Sequence, residues 1–108
     1  MPLTIQEIDR AETERIRAAR EPLIAALTRA ADGAPWHYLL FGSLARGTAR
    51  RGSDADIAIV DAGARWREAE KAALDACDAL DIEADIAWWE YMGDAVREEA
   101  LRDGIRCG

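Results

Sequence analysis

Residues 39–60 contain most of the polar motifs of this chain between two apolar runs. They read Leu39-Leu40-Phe41-Gly42-Ser43-Leu44-Ala45-Arg46-Gly47-Thr48-Ala49-Arg50-Arg51-Gly52-Ser53-Asp54-Ala55-Asp56-Ile57-Ala58-Ile59-Val60. The pattern predicts an apolar strand, a Gly-Ser turn, a basic segment that contains glycines, and a second apolar strand that opens with Asp-x-Asp. We therefore expect polar groups that can bind a ligand or take part in a reaction at the points where these strands begin and end.

Helices and one further strand surround this stretch. Thr4-x-x-Glu7 is typical of a capping box, and apolar residues at three- and four-residue steps then predict a helix to about Ala31. Pro22 lies inside this helix and predicts a kink or two abutting helices. The other predicted elements are a strand at 37–42, a short helix at 43–49, a strand at 54–60, a helix at 64–80, a strand at 82–89 and a helix at 94–103. This order predicts the α/β (α+β) class, with helices packed on a small mixed sheet of three or four strands.

The composition limits the classes of function. At 108 residues the chain is expected to form one domain, 1–108. A net charge of −7 argues against direct binding of nucleic acid and suits a basic protein partner, although it also serves solubility. The longest apolar runs are too short to span a membrane. Cys77 and Cys107 have no zinc-site spacing, and without a signal peptide they favour a reducing cytoplasm.

The Asp-x-Asp pair predicts a site for a divalent cation. Asp54 and Asp56 should share one face of their strand, because alternate side chains point the same way. Ala55, Ile57 and Ile59 should face the core. Two neighbouring carboxylates repel each other unless a cation lies between them, and Mg²⁺ prefers such oxygen ligands.

A third carboxylate is expected from the strand at 82–89. Asp85 is the first choice, because an unpaired charge inside the apolar run 84–89 would be costly to bury. Glu83 shares the face of Asp85 and remains the alternative.

The Gly-Ser turn is suited to binding phosphate. The backbone amides at Gly42-Ser43 and the Ser43 hydroxyl could hold the phosphates of a nucleotide, and Gly42 would allow close approach. Arg46, Arg50 and Arg51 are nearby positive charges whose separate roles the sequence does not distinguish.

With these motifs the sequence resembles the minimal nucleotidyltransferases of the DNA polymerase β superfamily. Their signature is Gly-Ser, ten residues and Asp-x-Asp, which here is Gly42-Ser43, residues 44–53 and Asp54-Ala55-Asp56. Ala45-Arg46-Gly47, Ser53 and Asp85 also match, and the resemblance extends over about residues 4–106. It implies the polymerase-β-like nucleotidyltransferase fold, ATP as substrate, Mg²⁺ as cofactor and transfer of a nucleoside monophosphate to a hydroxyl.

The resemblance also implies roles for single residues. Asp54, Asp56 and Asp85 would be the catalytic metal ligands, with Asp85 also positioning or deprotonating the nucleophile. The nucleotide-binding residues would be Gly42, Ser43, Arg46 and Ser53.

Short members of this family are similar to MntA-type antitoxins, which pair with HEPN-domain toxins and transfer AMP to a toxin tyrosine. This likeness implies a protein adenylyltransferase that acts as an antitoxin, and 108 residues leave no room for an acceptor-binding domain. Two alternatives stay open. The chain could be a non-catalytic antitoxin that neutralises its toxin by binding, or a small-molecule nucleotidyltransferase that completes its acceptor site as a homodimer.

Overall fold

Four strands form one mixed sheet in the computed structural model, which describes residues 2–108. They are β1 (His37–Phe41), β2 (Ala55–Val60), β3 (Ala84–Trp88) and β4 (Ile105–Cys107). Their order across the sheet is β3-β2-β1-β4. Strand β1 is antiparallel to both β2 and β4, whereas β2 and β3 are parallel. The predicted mixed sheet packed with helices is therefore confirmed, with four strands.

Five helices pack around this sheet. They are α1 (Ile5–Ala18), α2 (Arg20–Ala30), α3 (Gly42–Arg46), α4 (Trp66–Ala79) and α5 (Asp94–Asp103). Single 3₁₀ turns at Gly63–Arg65 and Trp89–Tyr91 precede α4 and follow β3. No helix within residues 2–108 has the length and apolar character needed to cross a membrane.

The first predicted helix is two abutting helices. Helix α1 begins at the expected cap, where the Thr4 hydroxyl accepts the Glu7 backbone N–H at 3.1 Å. The break comes at Ala19, three residues before Pro22. Proline has no N–H to bond the carbonyl four residues earlier, so it is tolerated in the first turn of α2 but not inside a continuous helix.

One face of the sheet packs on α2 and α4. The side chains of Ala55, Ile57 and Ile59 are buried there, as the alternation in β2 predicted. Tyr38 of β1 is fully buried on the same side, and its hydroxyl donates to the Ala69 carbonyl of α4 at 2.7 Å. This contact ties the sheet to its covering helix.

The opposite face is also covered, which the sequence did not indicate. Phe41, Ala58 and Ala100 form a second, smaller buried cluster between the sheet and α5. Leu39, Trp89 and Met92 pack against it. The candidate carboxylates lie on this face, so α5 is one wall of their surroundings.

Several element boundaries differ from the prediction, and one strand was not predicted. Helix α3 ends at Arg46 instead of residue 49, and α4 begins at Trp66 instead of residue 64. Strand β2 begins at Ala55, so Asp54 precedes the strand instead of lying in it. Residues 105–107 form β4, which pairs Cys107 with Tyr38 at the outer side of β1. Three residues are too short for a recognisable alternation, and their conformation depends on the pairing with β1.

Candidate active site

The centre of the candidate site is a pair of aspartates on neighbouring strands. In the parallel register of β2 and β3, Asp56 lies directly opposite Asp85. Directly opposed residues in a sheet point to the same face, so the two side chains are neighbours. Asp85 acts on Asp56 both through its charge and as a hydrogen-bonding neighbour. The residues that the sequence assigned to two strands are thus brought together.

The surroundings of Asp56 oppose its ionisation. Burial is the largest cause, followed by the negative charges of Asp85 and Asp54, and together they raise the pKa of Asp56 to about 6. Glu99 on α5 adds a smaller effect in the same direction. A half-buried carboxylate with acidic neighbours is stabilised by a cation placed among them. The electrostatics therefore match the chemistry predicted for this motif.

The Gly-Ser turn meets this carboxylate directly. The register of β1 and β2 pairs Phe41 with Asp56, so Gly42 follows β1 beside the Asp56 side chain. Gly42 has φ +74°, in the left-handed region. A Cβ at Gly42 would overlap the Asp56 Oδ2 atom and come within 3.0 Å of its Cγ. Only glycine fits here, and the two halves of the sequence motif are in contact.

Helix α3 and the loop after it are held by two arginines of the preceding helices. Arg20 Nε donates to the Ala45 carbonyl at 3.0 Å, and Arg17 Nε donates to the Ala49 carbonyl at 2.7 Å. Sequence reasoning missed both residues. The available signal was that they flank the buried Ala19, but helix periodicity does not show which backbone groups a side chain will reach.

Arg46 and Ser53 are engaged in contacts within the protein. Arg46 forms salt bridges to Glu99 at 3.1 Å and to Asp103 at 3.6 Å, which join α3 to α5. The Ser53 hydroxyl accepts the Arg50 backbone N–H at 2.9 Å inside the loop before β2. Their assignment to the nucleotide stays a prediction.

The loop before β2 is also fixed to α1. The Arg51 backbone N–H donates to Thr13 Oγ1 at 3.1 Å. Arg50 lines a shallow cleft beside α1 together with Arg10 and Arg17. The cationic side chains of the motif thus face α1 and α5 in this arrangement.

The reason given for choosing Asp85 is wrong, although its position beside Asp56 is as expected. Strand β3 lies at the edge of the sheet and Asp85 is exposed, so no buried charge requires a partner there. Glu83 lies before β3 and its backbone carbonyl accepts the Ala55 N–H at 2.8 Å. Of the two acidic candidates, Asp85 is the one aligned with Asp56.

The carboxylates of the candidate site suit a hard divalent cation, but only two of them lie side by side. Carboxylate oxygens from Asp56 and Asp85, with the charge of Asp54 close enough to affect Asp56, are the ligand type that Mg²⁺ takes. Within residues 2–108, however, no three acidic, histidine or cysteine side chains are gathered closely enough to hold a metal ion. The structure thus brings together a pair of carboxylates, and the complete trio is not assembled as a cluster.

Comparison with known proteins gives the family. The nucleotidyltransferase domain matches residues 37–107, a span that begins with β1 and ends with β4. The chain belongs to the nucleotidyltransferase domain family. This assignment identifies it as a nucleotidyltransferase.

Solved structures similar to this nucleotidyltransferase agree with the assignment. A structure described as a minimal nucleotidyltransferase has a TM-score of 0.60 and 28% identity, covering 85% of this chain and 92% of its own. A toxin–antitoxin structure with AMP-PNP has a TM-score of 0.55 and 29% identity, covering 82% of this chain and 72% of its own.

A third similar structure is a mutant of the toxin–antitoxin MntA-HpeT. It has a TM-score of 0.56 and 26% identity, with the same coverage of 82% and 72%. The mutant carries Asp-to-Glu changes at two positions separated by one residue. Among curated proteins, none is similar enough to this nucleotidyltransferase to be matched.

Proposed function

We propose that this nucleotidyltransferase is a Mg²⁺-dependent protein adenylyltransferase that acts as an antitoxin. It transfers AMP from ATP to a tyrosine hydroxyl of a HEPN-domain toxin. The observation that carries this proposal is the contact between the Gly42 turn and Asp56, with Asp85 aligned beside it. The similarity to a toxin–antitoxin structure with AMP-PNP supports the choice of an adenine nucleotide and a toxin partner.

The Gly-Ser turn binds the nucleotide in this proposal. The triphosphate lies beside the Gly42-Ser43 turn, where the missing Gly42 side chain lets the Asp56 carboxylate approach the backbone. The Ser43 hydroxyl and the backbone amides of the turn donate to phosphate oxygens. Arg17 and Arg20 act as positioning residues, because they fix the backbone at Ala45 and Ala49 without reaching the nucleotide themselves.

The carboxylates organise the transfer. Asp54, Asp56 and Asp85 would hold Mg²⁺, which when bound supplies positive charge for the phosphates. The acceptor oxygen attacks the α-phosphorus, a new O–P bond forms, and the bond to the leaving pyrophosphate breaks. Asp85 accepts or directs the hydroxyl proton, since it is the exposed member of the pair and can meet an acceptor from outside. Asp56 remains against the turn and orients the reacting groups.

The compartment we propose is the cytoplasm, where ATP and a toxin ribonuclease meet. Both cysteines are free and buried, which suits a reducing environment.

Labelled ATP tests the proposal. The protein is incubated with a HEPN-domain toxin, Mg²⁺ and ATP carrying the label on either the α- or the γ-phosphate. We expect the toxin to be labelled from the α-phosphate only, on tyrosine, and Asp54→Ala to abolish the labelling.

Three outcomes separate the candidate functions. No transfer by the wild-type protein, or undiminished transfer by Asp54→Ala, contradicts the proposal. If Asp54→Ala still blocks the toxin ribonuclease, the protein neutralises by binding instead. Labelling of a small alcohol without any toxin present would favour the small-molecule enzyme.

A further inference from the structure

The negative charge of this protein is concentrated in one segment. Between Lys71 and Arg97 the sequence has seven acidic residues and no lysine, arginine or histidine. The other fourteen Asp and Glu equal the fourteen Lys and Arg in number, so this segment accounts for the whole net charge of −7. The molecule is therefore balanced except along the chain from the second half of α4 to the start of α5.

Most of these acidic side chains carry unpaired charge. Asp75 is the only one in a salt bridge within residues 2–108, to Lys71 Nζ at 2.7 Å. The remaining six are exposed: Asp78, Asp81, Glu83, Asp85, Glu90 and Asp94. We call these six residues the acidic edge, because β3, on which Asp85 lies, is the edge strand of the sheet.

An apolar pocket adjoins the acidic edge at the end of β3. Its volume is about 540 Å³, and Ile59, Trp66, Trp88 and Tyr91 line it, with Glu90 as its acidic member. The Trp66 and Trp88 rings meet edge to face at 5.9 Å. Tyr91 is 87% exposed and Trp66 40% exposed, although large aromatic side chains in soluble proteins are usually more covered. We call these five residues the aromatic pocket.

One residue that lines the pocket also has an unpaired hydrogen-bond donor. Trp88 Nε1 is buried and has no hydrogen-bond partner in the part of the chain that the structure describes. A buried donor without a partner costs free energy unless something supplies an acceptor. A large apolar side chain of a partner would match the aromatic lining of the pocket.

The pocket and the candidate site lie on the same strand. Trp88 follows Asp85 by three residues, which is about 10 Å along a β-strand. An odd separation directs the two side chains to opposite faces of the sheet. A partner seated along the β3 edge can therefore fill the pocket from one face while reaching Asp85 on the other.

We propose that the acidic edge and the aromatic pocket together are the docking surface for the protein acceptor, an inference that rests on the proposed function. The acceptor presents a basic segment with one large apolar side chain, which enters the aromatic pocket. A second copy of this chain does not fit, because two acidic edges would repel each other. Nucleic acid is excluded from this surface by the same charge.

The energetic roles of the two parts differ. Aromatic residues in a pocket are common hot spots of protein interfaces. Unpaired charges at the rim mainly steer association and make it sensitive to salt. The aromatic pocket should therefore determine the dissociation rate of the acceptor, and the acidic edge its association rate.

The test is a double variant with a matched control. Glu90→Lys combined with Tyr91→Ala removes the rim charge and the most exposed aromatic ring, and neither side chain makes a hydrogen bond or salt bridge within residues 2–108. The control, Glu14→Lys with Leu101→Ala, makes the same kinds of change at exposed positions outside the pocket. The acceptor is a HEPN-domain toxin, and each variant is checked for an unchanged thermal unfolding midpoint.

Two measurements judge the docking surface separately from the reaction. In AMP transfer, we expect the double variant to raise KM for the acceptor at least tenfold, with kcat and KM for ATP within twofold of wild type. In direct binding, followed by the fluorescence of Trp66 and Trp88, we expect Kd to rise by the same factor. The control should change neither.

The outcomes distinguish the two proposals. If the double variant keeps the wild-type KM and Kd for the acceptor, the docking surface is overturned while the adenylyltransferase proposal stands. If the wild-type protein transfers no AMP but binds the acceptor and the double variant does not, the surface is supported and the reaction is rejected. Failure of the wild-type protein to bind the acceptor overturns the docking surface.

Discussion

Gly42 is required to be glycine for two independent reasons. Its φ of +74° lies in the left-handed region, which costs any residue with a Cβ. A Cβ would also overlap the carboxylate of Asp56, the residue whose position the site depends on. Gly47, five residues later, has φ +78° but no atom within 4 Å of the position a Cβ would take. Comparing substitutions at Gly42 and Gly47 therefore distinguishes the effect of backbone strain from the effect of displacing Asp56.

The first prediction compares these two glycines. Gly47→Ala should lower the free energy of unfolding by about 1–2 kcal/mol from backbone strain alone and keep most of the AMP-transfer activity. Gly42→Ala should lose more stability and at least a hundredfold in kcat/KM, because Asp56 must move. Denaturant unfolding and initial rates provide the measurements. Equal activity in the two variants would contradict the role assigned to the contact.

The ionised carboxylate of Asp56 destabilises the folded protein. Burial, and then the charges of Asp85 and Asp54, raise its pKa to about 6, above the ordinary value of 3.8. The folded state thus binds this proton more tightly than the unfolded state does. This destabilisation is fully present above about pH 6 and disappears as the pH falls from there toward the ordinary value.

The second prediction follows from the upward shift of the Asp56 pKa. In EDTA at pH 8, Asp56→Asn should be more stable than wild type by roughly 1–2 kcal/mol, because it removes a charge that folding disfavours. The difference should shrink as the pH is lowered through 6, and activity should be lost at every pH. Asp32→Asn, at an exposed loop position, is the matched control for the loss of one carboxylate. A destabilised Asp56→Asn protein at pH 8 would contradict this description.

At the scale of elements, the candidate site depends on the way α3 is held. This helix has five residues and only its packing and tethers fix it. Arg17 and Arg20 bind the carbonyls of Ala49 and Ala45, and Arg46 bridges α3 to α5. The Gly-Ser turn is therefore positioned by side chains from helices on both sides of the sheet.

The third prediction concerns these tethers. Replacing both Arg17 and Arg20 with methionine should cost about 1 kcal/mol per lost hydrogen bond. Amide hydrogen exchange at residues 47–53 should become faster, and KM for ATP should rise with little change in kcat. Arg29→Met is the matched control, since the Arg29 side chain is exposed on α2 and makes no hydrogen bond within residues 2–108. Unchanged exchange in the double variant would show that the loop does not depend on these contacts.

The helices and strands that sequence patterns predicted are those whose signals come from neighbouring residues. The capping box at Thr4, the alternation of Ala55, Ile57 and Ile59, and the turn at Gly42 all predicted what the structure has. These features depend on neighbouring residues in sequence. Strand β4 depends instead on pairing with β1, and a stretch of three residues carries no period from which that could be inferred.

For the molecule as a whole, the order of the strands in the sheet could not be predicted from the sequence. The apolar run 84–89 was expected to bury Asp85, yet β3 is at the edge of the sheet and Asp85 is exposed. Trp88 and Trp89 supply much of that apolar character, and they cover the edge strand from opposite faces. Asp85 lies beside Asp56 as expected, but not for the reason that led to the expectation, because it is exposed. The tethers from Arg17 and Arg20 were missed because they too are long-range contacts.

The fourth prediction concerns the uneven charge of the molecule. Since the six side chains of the acidic edge form no salt bridge within residues 2–108, their charges repel each other and salt should stabilise the fold. Raising the ionic strength from about 0.01 M to about 0.1 M shortens the screening length from roughly 30 Å to 10 Å. We expect Tm to rise by ~2–4 °C, and the rise to be smaller in Asp78→Lys with Glu90→Lys. A Tm independent of salt would contradict the clustering of unpaired charge.

The role of Asp56 and Asp85 in the reaction is tested by the rate of AMP transfer from α-labelled ATP to the HEPN-domain acceptor in three Asp→Asn variants. These keep the shape of each side chain and remove its charge. We predict that Asp56→Asn and Asp85→Asn each lose at least a hundredfold, equivalent to about 2.7 kcal/mol of transition-state stabilisation. Asp61→Asn, at an exposed position after β2, should stay within twofold of wild type. Wild-type rates in Asp56→Asn and Asp85→Asn would contradict the account.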